Sequence, residues 1–232
     1  MLETDFKKRM NGQAAFINEY IQTFDVYHFH DTGKTSPLKL HAYINDNSML
    51  RSDGANLPAI LYLIKEKYPD YFDDIVAVVN TVFPPLKTFR LSPNEFNNDI
   101  ISLQWVHREA EDYFFDVNQL SDGTLRFIAL TTLLMQPNPP RTIIIDEPEL
   151  GLHPKAIMLL GDMIHKASEK SQIILSTQSI DLINNFDPED IIMADFDNSS
   201  SSMRRLTTDE LKGWLDEYTL GEIWEMNKFG GA

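Results

Sequence analysis

Leu120-Ser121-Asp122-Gly123-Thr124 opens the stretch that decides the fold, LSDGTLRFIALTTLLMQPNPPRTIIIDEPELGLHP, which runs to Pro154. A glycine-bearing turn leads into a helix, and a very apolar strand follows. Thr142, Ile143, Ile144 and Ile145 form a β-branched run bounded by Pro139-Pro140 and Pro148, the pattern of a parallel strand buried on both faces. Asp146 and Glu147 then stand at its carboxyl end. Ligands of open α/β sheets bind at that edge, so one carboxylate is assigned to a hydrated metal, Asp146, and the other to orienting an attacking water, Glu147.

The neighbours of this stretch follow the same alternation of helix and strand. Ser121 is a suitable N-cap, and Leu125, Ile128, Thr132 and Met135 are expected on one face of its helix. The unpaired amides and positive end of such a helix suit an anionic phosphate, with Gly123 leaving room for it. Pro154 begins a helix reaching about Lys170. Gln172 to Leu175 reads as a short buried strand ending in Ser176-Thr177-Gln178-Ser179, again at a ligand edge.

With these residues on the page a resemblance can be stated. Leu120 to Thr124 resembles the signature motif of ABC-type ATPases, Ile143 to Glu147 their Walker B strand, and Glu149 to Pro154 their D-loop. The wording IIIDEPELGLHP, with STQS at Ser176 to Ser179, is similar to prokaryotic SMC-like ATPases of the AAA_21 type. A looser likeness reaches Arg51 to Leu61 and Tyr218 to Gly231. The resemblance implies an α/β P-loop NTPase head of ABC type, incomplete, with a mainly parallel sheet flanked by helices, a helical subdomain and a small antiparallel β part. It divides the chain into a helical or lid region, 1–85, and a core carrying signature, Walker B and switch, 86–232.

The resemblance also implies ATP and Mg2+ as cofactors and a head-to-tail dimer of two heads, or a pairing with a partner ATPase. Ser121, Asp122 and Gly123 would then meet ATP in trans, while Asp146, Glu147 and Gln178 act in cis. Asp122 stands where the common form has a second glycine. Gln178 stands where many ABC-type ATPases have histidine, and an amide can hydrogen-bond a phosphate or water but carries no charge. For His153 two readings stay open, a dimer contact in the D-loop and a helix-entry residue.

A phosphate-binding loop is the element such a head requires. Gly33-Lys34-Thr35 closes the pattern G-x-x-x-x-G-K-[ST], but the first glycine is replaced by His28, and Pro37 follows too soon for a long helix. The stretch reads as an exposed loop. The chain is therefore expected to be the carboxyl-terminal part of a longer ATPase, or a degenerate head that binds a partner ATPase and supplies only the signature side of a composite site. The process expected to be driven is DNA repair or defence against foreign DNA.

Composition sets the remaining bounds. The chain has 232 residues, enough for one full core with a smaller appendage. A net charge of −15 argues against nonspecific nucleic-acid binding by this chain itself, because phosphate contacts need clustered Lys and Arg. DNA contact through an assembly stays open, since net charge does not describe one local face. With no cysteine and no export signal, a reducing cytoplasm is the expected location. No apolar run approaches a membrane span.

Elsewhere, helices are expected at Thr4 to Gln22, through Arg51 to Leu63 after a turn, at Tyr71 to Val82 and at Thr207 to Asp216, with a last helical turn or two over Leu220 to Met226. Strands are expected at Phe24 to Phe29, Leu86 to Leu91, Asp99 to His107 and Tyr113 to Val117. Asp195-Phe196-Asp197 imitates a metal-binding D-x-D, but the polar turn Asn198 to Ser202 and the return at Met203 to Leu206 favour a hairpin with solvated aspartates.

Overall fold

The computed structural model describes residues 24–197 and 200–228, so the helix expected over Thr4 to Gln22 lies outside the described residues. In chain order the strands are β1 (Val26–Tyr27), β2 (Ala42–Tyr43), β3 (Leu86–Arg90), β4 (Pro93–Asn94), β5 (Asn97–Ile101), β6 (Gln104–His107), β7 (Ala110–Asp116), β8 (Thr142–Asp146), β9 (Gln172–Ser176), β10 (Ile192–Asp197) and β11 (Ser200–Arg205). The helices are α1 (Leu57–Lys67), α2 (Pro69–Val82), α3 (Asp122–Met135), α4 (Pro154–Ser168), α5 (Ile180–Ile183) and α6 (Leu220–Glu225).

The β-branched run becomes β8, the central strand of a parallel sheet ordered β1-β8-β9. Ile143 and Ile145 point into the main core and are fully buried. On its opposite face Thr142 is buried and Ile144 partly buried, so β8 itself is largely buried on both sides as expected, and it is the flanking strands that are more open. Val26, Ile144 and Ile174 lie side by side in register across the three strands, and Val26 and Ile174 are 39% and 48% exposed. β9 is likewise half-exposed, with no strand on its outer edge among the described residues. Parallel sheets are normally covered on both faces; among the described residues this one is covered fully on one and partly on the other.

Beneath the covered face, α3 packs between α2 and α4. It is apolar nearly all round: Leu125, Phe127, Ile128, Leu130, Leu133 and Leu134 are all buried, more than the single face expected. Its two buried hydroxyls, on Thr131 and Thr132, donate back to Phe127 O at 2.7 Å and Ile128 O at 2.8 Å, which satisfies them without breaking the helix. The helices α1 and α2 join the same core. No described helix is long and apolar enough to cross a membrane.

The strand expected over Asp99 to His107 is two strands in two sheets: β5 pairs with β2 and β4, and β6 with β3 and β7. The chain turns at Ser102-Leu103, where buried Leu103 anchors the corner. A second, small core of Ile183, Met193, Leu206, Leu211, Leu220 and Ile223 carries the β10-β11 hairpin. The expected helix at Thr207 to Asp216 is only a 3-10 turn, Thr208–Leu211, followed by turns through Gly213, whose φ of 90° ends any helical run.

Candidate functional site

Asp146 closes β8, and the Ser176 hydroxyl of neighbouring β9 donates to its Oδ1. The next amide, of Glu147, donates to Ser176 O at 2.9 Å, so pairing persists one residue past the strand. Glu147 then turns with φ 41°, a left-handed conformation that side-chain-bearing residues adopt at a cost. The turn fixes where its half-buried carboxylate emerges. On the other flank, His30 Nε2 donates to Asp146 O at 2.9 Å. Phe29, His30 and Arg126 line a small cleft with Asp146, Glu147 and Pro148.

The loop after Glu147 is held against the start of α3. Gly151 has φ 75°, and a methyl group on Gly123 would lie 2.4 Å from Gly151 O. Glycine at 123 is therefore required by the approach of the 147–153 loop, a reason the sequence does not reveal. Arg126, one turn further along α3, donates from Nη1 to Leu150 O at 2.6 Å, from Nη2 to His30 O at 2.5 Å and from Nε to Phe29 O at 3.0 Å.

Ser121 caps α3 as expected, its Oγ accepting from Thr124 N at 3.1 Å, and its side chain is exposed. Asp122 is partnered. Thr32 hydrogen-bonds its carboxylate and Lys39 Nζ lies 3.3 Å from Oδ1, holding the carboxyl below its usual range, Thr32 contributing most. Lys39 also donates to Thr32 O and is itself mostly buried. The Gly33-Lys34-Thr35 stretch is a turn closed on itself: Gly33 N donates to Asp31 Oδ1 at 2.9 Å, Ser36 N to Gly33 O at 3.1 Å, and Lys34 is exposed.

Beyond β9, Thr177 Oγ1 donates to Glu149 Oε1 at 2.6 Å and accepts from Ser179 N at 2.9 Å. Gln178, between them, is exposed. His153 is the N-cap of α4, its Nδ1 accepting from Lys155 N at 3.2 Å, with the ring exposed. Asp195 and Asp197 lie on the β10-β11 hairpin, opposite Ser202 and Ser200. Among the described residues no three acidic or imidazole side chains converge as a metal cage.

The fold thus unites Asp146 and Glu147 with the Ser176 to Ser179 segment, and the Ser121 to Gly123 turn with the loop after Glu147. Arg126, His30, Lys39 and Glu149 were not singled out from sequence. Their functions are to hydrogen-bond backbone or side-chain partners tens of residues away, and no local pattern announces that.

The sequence matches the AAA_21 family, described as "AAA domain, putative AbiEii toxin, Type IV TA system", over residues 12–184. No protein of curated function matches. Among solved structures, the Smc head bound to the C-winged helix domain of ScpA aligns with 17% identity and a TM-score of 0.52, covering 75% of this chain and 50% of that one. A structure of SMC ATPases concerned with ATP-driven dimerization and DNA stimulated activation aligns with 17% identity and a TM-score of 0.48, covering 68% and 96%. The Smc head domain with an extended coiled coil from Pyrococcus furiosus, bound to the C-terminal domain of ScpA, gives 18% identity, a TM-score of 0.45 and coverage of 72% and 44%. The chain spans about half the length of the ScpA-bound heads.

Proposed function

We propose, from the premise that this chain belongs to the AAA_21 family, that it forms the signature, Walker B and switch side of an ATP-binding and ATP-hydrolysing head. The observation that carries the reading is the end of β8. A central parallel strand delivers Asp146 and Glu147 to the sheet's carboxyl edge, hydrogen-bonded to the next strand's Ser176. Asp146 and Ser176 offer oxygen donors only, which suits Mg2+, an ion that keeps several waters and needs one or two carboxylates rather than a cage. Bound there, Mg2+ would supply charge neutralisation at the phosphates.

Glu147 orients the attacking water and accepts its proton. The left-handed turn holds its carboxylate at the edge without recourse to side-chain rotation alone. Gln178, exposed two residues past β9, hydrogen-bonds the water or a phosphate. Ser121 and Gly123 serve the nucleotide of a partner head in trans, and Asp122, which stays ionised, has its charge partly offset there by the nearby Lys39 ammonium. The exposed imidazole of His153 contributes to the same dimer contact. DNA repair or defence against foreign DNA is the process proposed, acting in the cytoplasm.

The phosphate loop comes from outside the described residues, from another segment or a partner ATPase. The Gly33 turn does not serve, because its amide is already taken by Asp31. That same observation favours a second reading, a head that hydrolyses nothing by itself and completes a partner's site. Binding of a fluorescent ATP analogue with Mg2+ tests the proposal. The chain alone gives no binding, and the chain joined to its phosphate-loop segment binds and dimerises; an assembly that still ignores nucleotide overturns the ATPase reading.

A further inference from the structure

The geometry points to Arg126 as a positioning residue that fuses the signature turn and the loop after Glu147 into one rigid unit, presented as a whole to the partner's nucleotide. The inference deepens the proposed ATPase reading and rests on it for its functional half. Three observations carry the structural half.

Arg126 makes three hydrogen bonds, all to main-chain carbonyls, of Phe29, His30 and Leu150. A planar guanidinium can satisfy several acceptors at fixed angles, which a single ammonium cannot. Second, the two backbones touch directly. Any Cβ at Gly123 would strike Gly151 O, and any Cβ at Gly151 would lie 2.8 Å from Arg126 Nη1. The loop is therefore locked from both sides, by the glycine contact at the start of α3 and by the guanidinium one turn later. Third, the remaining end of the guanidinium ties this unit to His30, whose ring donates to Asp146 O. The unit therefore has a fixed seat on the sheet edge.

Loss of Arg126 leaves α3 in place, because that helix is buried nearly all round by its own apolar side chains. What it frees is the Leu150-Gly151 peptide. The 147–152 loop retains its internal bonds, Leu150 N to Glu147 O at 3.2 Å and Leu152 N to Glu149 O at 2.9 Å, and its ties to β9 and the segment beyond, Glu147 N to Ser176 O at 2.9 Å and Thr177 Oγ1 to Glu149 Oε1 at 2.6 Å, none of which holds the Leu150-Gly151 peptide. A trans-acting surface whose two halves drift by an ångström loses much of its catalytic contribution, since positioning effects fall steeply with misplacement.

The test has two arms. In this chain, amide hydrogen exchange at Leu150 and Leu152 rises at least about tenfold in Arg126→Ala, while amides within α3 and β8 keep wild-type protection. Arg126→Lys lies between. Unchanged exchange in the loop, or equal loss across α3 and β8, overturns the inference. In the ATP-hydrolysing dimer formed with the phosphate-loop segment, Arg126→Ala and Glu147→Gln are each mixed with themselves and with one another. Each is nearly inactive alone. Mixed, they recover about a quarter of the wild-type rate, because half the dimers pair an intact Glu147 with an intact signature unit in one of two head-to-tail sites. Absence of recovery overturns the inference, since Arg126 would then serve its own protomer's carboxylates. Absence of ATP hydrolysis in the wild-type assembly would instead reject the ATPase reading and leave the exchange result standing.

Discussion

The Ser121 turn and the segment after β9, proposed as signature and switch, flank the same sheet edge but are held in opposite ways. Ser121 to Arg126 are fixed by a cap, a backbone contact at Gly123, an ion pair at Asp122 and three guanidinium bonds. The segment after β9 hangs from a strand at the edge of the described sheet, with Ile174 exposed on its face and Gln178 exposed at its tip. The side that would face a partner's nucleotide is prebuilt within the chain. The side that would face its own is open, where the proposed phosphate-loop segment would dock. Among the described residues, Val26 and Ile174 of that sheet face stand partly open, where parallel sheets are normally covered.

Substitutions can break or sharpen this contrast. The largest stability effect is expected at Gly123→Ala. The added methyl meets backbone rather than a movable side chain, so the loop must shift at a cost of about 2 kcal/mol, a fall in Tm of roughly 4–8 °C by calorimetry. A wild-type Tm would show that the turn is not rigidly seated. Thr177→Val is expected next. It deprives Glu149 of its hydroxyl donor and Ser179 N of its acceptor, for about 1–2 kcal/mol in urea unfolding. Among the described residues that bond ties the segment after β9 to the loop after Glu147, and its loss should raise amide exchange at Ser179.

Ile174→Lys sharpens the other half of the contrast. Because the side chain is exposed, the chain's own stability should change by less than about 0.5 kcal/mol in urea unfolding, yet co-purification with the phosphate-loop segment should be lost. A strongly destabilised variant would mean the face is already covered. The smallest effect is expected at Asp122→Asn. The folded carboxyl titrates below its unfolded value, so its stabilisation is present above the unfolded pKa and disappears as pH falls through the folded one. Thermal melts of wild type and Asp122→Asn should differ slightly at neutral pH and converge in acid; a gap that widens in acid would contradict the assignment.

Much of this was legible in the sequence because it is local. The β-branched run, the Ser121 cap, the Pro154 helix start and the two hairpin strands beyond Ile191 each follow from a few consecutive residues. The partial exposure of the strands beside β8 was not legible, since the pattern Thr-Ile-Ile-Ile specifies one strand and says nothing of how well its neighbours Val26 and Ile174 are covered. Asp99 to His107 alternates like one strand, and only the buried Leu103 and competing partners split it in two. Gly123 was read as space for phosphate, whereas its nearest neighbour is Gly151 O. Arg126 was invisible for the same reason: its partners are 24 to 97 residues away.

The assignment of Glu147 to the attacking water is the central claim, and turnover by a single variant tests it most directly. In the dimer formed with the phosphate-loop segment, Glu147→Gln should bind ATP and Mg2+ with wild-type affinity while hydrolysis falls by about a hundredfold or more. Wild-type hydrolysis by that variant, with binding intact, would contradict it.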